Sequence, residues 1–123
     1  QEFLGGARAL LFPIDWPEPF GLVMIEAMSA GTPVIAWKNG SVPEVIHHGV
    51  SGYIIESIEE AVEKARSIDR FDRRLVRAEF ESRFTVATMA QHYENAYTAL
   101  CLAGTVNGRA NISTSSPEDL AVA

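Results

Sequence analysis

The chain has 123 residues, 47% of them apolar, ten Lys and Arg against sixteen Asp and Glu, and one cysteine. That length suits a single domain able to bury roughly two thirds of its unfolded surface. The net charge of -6 and scattered basic residues argue against a nucleic-acid partner, and a lone Cys101 excludes a disulfide framework or a cysteine-based zinc cluster.

No stretch approaches the roughly 18 uninterrupted apolar residues of a membrane span. The opening QEFLGGARALLF lacks the basic n-region of a signal peptide, so a soluble cytoplasmic chain is expected. The run at residues 9–12 is short, apolar and stopped by Pro13, as a buried parallel strand would be. The loop IDWPEP follows. Pro19 suits the first turn of a helix, because its fixed φ fits there and its missing N–H would be unpaired anyway. A helix is therefore predicted over residues 20–30, with Gly31 and Pro33 as stop signals.

Val34 to Trp37 reads as a second buried strand. Strand, helix and strand with short links make a βαβ unit whose two strands lie parallel and adjacent. PEVIHHG predicts a short helix closed by Gly49, and residues 53–55 a third strand. Ser57 with Glu60 forms a capping box for an amphipathic helix carrying Ile58, Ala61, Val62, Ala65 and Ile68. Leu75, Val76, Phe80 and Phe84 indicate a further helix. Thr85 caps a last one, whose stripe includes Val86, Met89, Tyr93, Tyr97 and Leu100. From Gly104 on the residues are small and polar, which predicts a disordered tail.

In an open parallel α/β sheet ligands bind beyond the carboxyl ends of the strands, here the loops at residues 13–19 and 37–43. A helix starting near Phe20 would aim its free N–H groups into that crevice, an anion site that Gly21 leaves open to close approach. Glu26 is the only charge among Leu22, Val23, Met24, Ile25, Ala27, Met28 and Ala30. Buried there, it needs donors close by. Glu18 lies in the loop ahead, so the two carboxylates stand at different heights beside one anion pocket, a layout that matches a nucleotide sugar. The plainer readings are an ion pair or cap for Glu26 and simple solvation for Glu18. Glu44 fits a helix N-terminus, and His47, His48 and His92 read as surface or satisfied helix residues. Trp16 and Trp37 fit packing better than base stacking.

E-P-F-G-L-V-M-I-E at residues 18–26, followed by A-M-S-A-G-T-P-V-I-A, G-S-V-P-E-V-I and G-V-S-G-Y, resembles the E-x(7)-E region of the retaining GT-B glycosyltransferases of family 4, or group 1. The likeness covers residues 5–100. It implies a Rossmann-like parallel sheet with flanking helices, part of a GT-B C-terminal domain, with residues 1–102 binding a nucleotide-diphosphate sugar and 103–123 as a tail. It further implies that Glu18 binds the sugar hydroxyls and that amides of Phe20, Gly21, Leu22 and Val23 meet sugar and diphosphate. Glu26 would accept from the ribose, with no metal ion or other cofactor. Glu18 is the implied catalytic residue.

Family members have two domains, and a basic pair that grips the phosphates precedes this region in them; Lys38 and Arg8 are the candidates within the chain. The expected consequences are an isolated fragment that is inactive, a full-length parent that is cytoplasmic or peripheral at the membrane, and self-association through an open sheet edge or exchange of the helix at residues 86–102. The alternative is a non-catalytic nucleotide-binding or assembly module of the same fold.

Overall fold

The computed structural model describes residues 2–107; of the tail expected at residues 103–123, the first five continue the last helix, contrary to that expectation, and the rest lies outside the described residues. Helix α1 is Glu2–Gly6, followed by strand β1 Leu10–Phe12, helix α2 Leu22–Ser29 and strand β2 Val34–Trp37. The chain continues through helix α3 Val42–Val45, strand β3 Gly52–Ile55, helix α4 Ile58–Ser67, helix α5 Arg73–Arg83 and helix α6 Val86–Asn107.

The three strands form a parallel sheet in the order β1-β2-β3, with Leu10 opposite Val34 and Val34 opposite Gly52. β2, flanked by a partner on each side, is the most buried, with Val34, Ile35 and Ala36 at 0 to 1% exposure. Across from it α2 lays down Met24, Ala27 and Met28, a buried i, i+3, i+4 set. Val42, Val45, Ile46 and Val76 complete this core, and Ile35, Ile55 and Ile68 form a smaller one.

β1 departs from the expectation of a strand covered on both faces. Leu11 is 62% exposed, because it projects from the sheet face opposite to that of Leu10 and Phe12, and β1 is not packed on that face at this position. α1, not expected from the sequence, has no buried residue. It is tied down from a distance: Arg73 donates to Ala7 O and Gly5 O at 2.7 and 2.8 Å, and Thr32 Oγ1 donates to Leu4 O at 2.6 Å.

Three arginines of α5, Arg73, Arg77 and Arg83, hold carbonyls at or beside the ends of other helices. Arg73 also donates to Thr32 Oγ1 at 2.7 Å, Arg77 to Ser29 O at the end of α2, and Arg83 to Val45 O at 3.1 Å and Glu44 O at 2.5 Å at the end of α3. Cations at helix C-termini satisfy the last carbonyls and the dipole together. α3 is one turn long, so His47 and His48 lie beyond it rather than on a helix; His48 instead bridges to Gly52. Ser57 caps α4 as predicted, accepting from Glu60 N at 3.1 Å, although the Glu60 carboxylate accepts from Glu56 N and not from Ser57. Thr85 accepts from Thr88 N at 3.1 Å.

Residues up to Met89 make one compact unit and those from Ala90 a second. In the second, α6 runs on past Leu102 to Asn107, with the Tyr93 and Tyr97 rings 6.2 Å apart. Among the described residues no helix is long and apolar enough to cross a membrane.

Candidate functional site

The two loops beyond the carboxyl ends of β1 and β2 are sewn to one another. Ser41 N donates to Glu18 O at 2.9 Å and Ser41 Oγ to Phe20 O at 2.8 Å. Gly40, at φ 51, lets its loop lie directly on the backbone of Pro17 and Glu18, where a Cβ would collide. Within the first loop Glu18 N donates to Trp16 O at 2.8 Å, a three-residue turn around Pro17, whose ring already holds the φ such a turn needs.

α2 begins two residues later than Pro19 suggested. Gly21, with φ 73, is its N-cap and has no side chain to cap with, so Pro19 and Phe20 stay in the loop. The capping function is supplied by Glu18: its Oε1 accepts from Gly21 N at 3.3 Å, while its Oε2 accepts from Trp16 Nε1 at 3.1 Å. Glu18 is thus half-buried with a donor on each oxygen, not simply solvated. Met24 N donates to Gly21 O at 2.9 Å, which leaves the amides of Leu22 and Val23 without partners among the described residues. Those two N–H groups are the open donors at the positive end of the helix. The Phe20 ring is 40% exposed and meets Phe84 edge-on at 6.3 Å.

Glu26 is not buried. It is exposed, on the same face as Leu22, which is 64% exposed, and one turn or about 6 Å further along the axis. The run of apolar residues around it suggested a helix covered on most sides. Only the Met24, Ala27 and Met28 side is covered, so the carboxylate needs no compensating donor, and no side chain among the described residues bonds it. The N-terminal end of α2 thus carries the Leu22 and Val23 amides with the Glu18 side chain bonded to Gly21 N just ahead of them, and the exposed Glu26 carboxylate stands one turn further along the helix.

The two candidate phosphate cations are engaged elsewhere. Arg8 precedes β1, at the opposite end of the sheet, and pairs with Asp69, whose carboxyl it holds below the ordinary value. Lys38 follows β2 but donates to Glu56 at 2.7 Å, a bond that raises its pKa. His47 Nδ1 lies 2.6 Å from Glu79 Oε1, and His48 Nδ1 accepts from Ile54 N at 3.2 Å, so both histidines are satisfied structurally. Trp37 is partly buried and packs against the core, whereas Trp16 is 56% exposed, against the packing expected of it. A surface depression of about 380 Å³ lies at the other end of α2, between Ser29, Gly31, Arg73 and Arg77. Its guanidiniums are committed to carbonyls and carboxylates. Among the described residues no group of three or more His, Cys, Asp or Glu gathers as metal ligands do.

What the sequence did not disclose is the part of Trp16. A Trp-Pro-Glu triplet signals it: a proline-centred turn brings residues i and i+2 together.

A three-stranded parallel sheet with flanking helices defines a Rossmann-like α/β domain, here part of the GT-B architecture. The chain belongs to the glycosyl transferases group 1, whose family model matches residues 1–74. It is 47% identical to N-acetyl-α-D-glucosaminyl L-malate synthase of Bacillus anthracis over 47 residues, 38% of this chain and 12% of that protein. Its fold is similar to that of Anabaena HepE solved in complex with UDP, with a TM-score of 0.63 and 26% identity over 80% of this chain and 29% of that one. Sucrose-phosphate synthase of Thermosynechococcus elongatus gives a TM-score of 0.65 and 25% identity over 82% of this chain and 27% of that one. The chain thus spans less than a third of each of these proteins.

Proposed function

We propose that the chain is the donor-binding part of a retaining family 4 glycosyltransferase that moves a hexosyl group from a nucleotide-diphosphate sugar to an acceptor. The observation that carries this reading is the start of α2. Two unpartnered amides, Leu22 N and Val23 N, lie there between the Glu18 carboxylate in the loop and the Glu26 carboxylate one turn along the helix. An anion with a polyol on each side suits that series of groups, and structures of HepE have been solved with UDP and with UDP-glucose.

In this reading the Leu22 and Val23 amides meet the diphosphate. They stabilise the charge that collects on it as the anomeric C–O bond breaks and a new C–O bond to the acceptor hydroxyl forms. Phe20 and Gly21 shape the approach to those amides. Glu18 accepts from the sugar hydroxyls and Glu26 from the ribose. Transfer proceeds without a metal ion, in the cytoplasm or at the membrane surface, and the chain alone is inactive. It also self-associates when isolated, because the outer edge of β1 presents unpaired backbone groups; light scattering that shows only monomer at high concentration would argue against this.

The test is a panel of nucleoside diphosphates and their sugars, titrated calorimetrically against the intact protein that carries this chain. Saturable binding of one nucleotide sugar supports the reading. Binding of nucleotides with no discrimination for the sugar would favour a non-catalytic module instead.

A further inference from the structure

We propose that Trp16 is a positioning residue: its indole N–H sets the orientation in which the Glu18 carboxylate receives the transferred sugar. The inference rests on the donor-site reading above and deepens it.

The backbone of Glu18 is fastened from two sides without help from Trp16's ring. Ser41 N holds its carbonyl at 2.9 Å, the turn around Pro17 holds its amide at 2.8 Å, and Pro19 restricts the residue from behind. None of these bonds fixes the side chain. A glutamate has three torsions beyond the backbone, and freezing them costs more entropy than for most side chains. Two donors do so here, Gly21 N on Oε1 and Trp16 Nε1 on Oε2. An ionised carboxylate offers about four lone-pair sites, so about two remain for hydroxyls of a ligand.

Burial does not explain Trp16. The residue is 56% exposed, and its N–H could equally bond solvent. Its bond to Glu18 therefore has a cost in freedom and gives little to the core. What it does provide is a rigid carboxylate, since two proline-restricted loop residues act as one unit. The other tryptophan, Trp37, is partly buried and packs against the core.

The test is a double-mutant cycle in the intact protein, using as donor the nucleotide sugar selected by the panel above and its nucleoside diphosphate as the control ligand. Trp16→Phe removes the N–H and keeps the ring. It should lower kcat about tenfold, the scale of one hydrogen bond to a charged group, and leave diphosphate affinity unchanged. Glu18→Ala should lose at least as much, and adding Trp16→Phe to it should cost nothing further. Trp16→His, which restores a ring N–H, should recover part of the loss. Wild-type kcat in Trp16→Phe, or losses that multiply in the double variant, would overturn the inference while leaving the donor site intact. Unchanged turnover in Glu18→Ala would instead bring down the reading of Glu18 itself, and Trp16 with it.

Discussion

Replacing Gly40 by alanine tests how tightly the two loops at the site are joined. Gly40 has φ 51, a left-handed conformation that costs an L-residue about 1 to 2 kcal/mol. Its Cβ would also strike the N and O atoms of Glu18 and lie 2.8 Å from Pro17 C. These are backbone atoms that cannot swing away, so an overpacking cost of about 1 to 3 kcal/mol adds to the first. The sum for Gly40→Ala is about 2 to 5 kcal/mol.

Gly49 provides the control, because its φ is 83 yet nothing lies within 4 Å of the Cβ it lacks. Gly49→Ala should therefore cost only about 1 to 2 kcal/mol. Urea denaturation of both variants separates the conformational part from the steric part. Since the steric part falls on Glu18, Gly40→Ala should also weaken nucleotide-sugar binding, and Gly49→Ala should not. Equal stability losses in the two, with donor affinity unaltered in both, would show that the loops are not packed as described.

Glu26→Ala should weaken nucleotide-sugar binding in the intact protein by about 1.5 to 3 kcal/mol, the scale of hydrogen bonds to a charged group, and leave the melting temperature unchanged because the residue is exposed and unpaired. An unaltered donor affinity would remove Glu26 from the site. Arg73→Met should destabilise the fold by about 2 to 3 kcal/mol, since Gly5 O, Ala7 O and Thr32 Oγ1 lose a common charged donor; a wild-type urea midpoint would contradict that role. Asp72 supplies a pH dependence. Its carboxyl is held below its ordinary 3.8 by the Arg74 side chain and then by the Arg74 backbone N–H at the start of α5. The cap's contribution is thus present above the unfolded-state value and is lost as pH falls through the lower folded-state value. Denaturation at pH 6 and at pH 3 should show a smaller difference in Asp72→Asn than in the wild type.

The strands and helix caps were legible because their signals are local. An apolar run ended by Pro13, the Gly31 and Pro33 stop, Ser57 and Thr85 each act within a few residues of themselves. α1 was illegible for the opposite reason: Gly5 and Gly6 are poor helix formers, and the bonds that hold the segment come from Thr32 and Arg73, far along the chain. The start of α2 was misplaced because a proline at a first turn looks the same in sequence as a proline just ahead of a glycine N-cap. The burial expected of Glu26 failed because hydropathy counts apolar neighbours along the chain, while coverage depends on which faces meet the sheet and α5. The position of Glu18 just ahead of α2 was legible in the motif, but the contacts that set its loop, from Ser41, Gly40 and Trp16, depend on loops meeting in space.

Arg73 and Arg83 of α5 limit how the surface of this protein can be redesigned. Exchanging arginine for lysine conserves formal charge and is a common choice for improving expression. An ammonium is a single point of donors, however, and cannot span Gly5 O, Ala7 O and Thr32 Oγ1, or Val45 O and Glu44 O, from one position. A library that varies arginines freely should keep positions 73 and 83 fixed, since what they conserve is a shape.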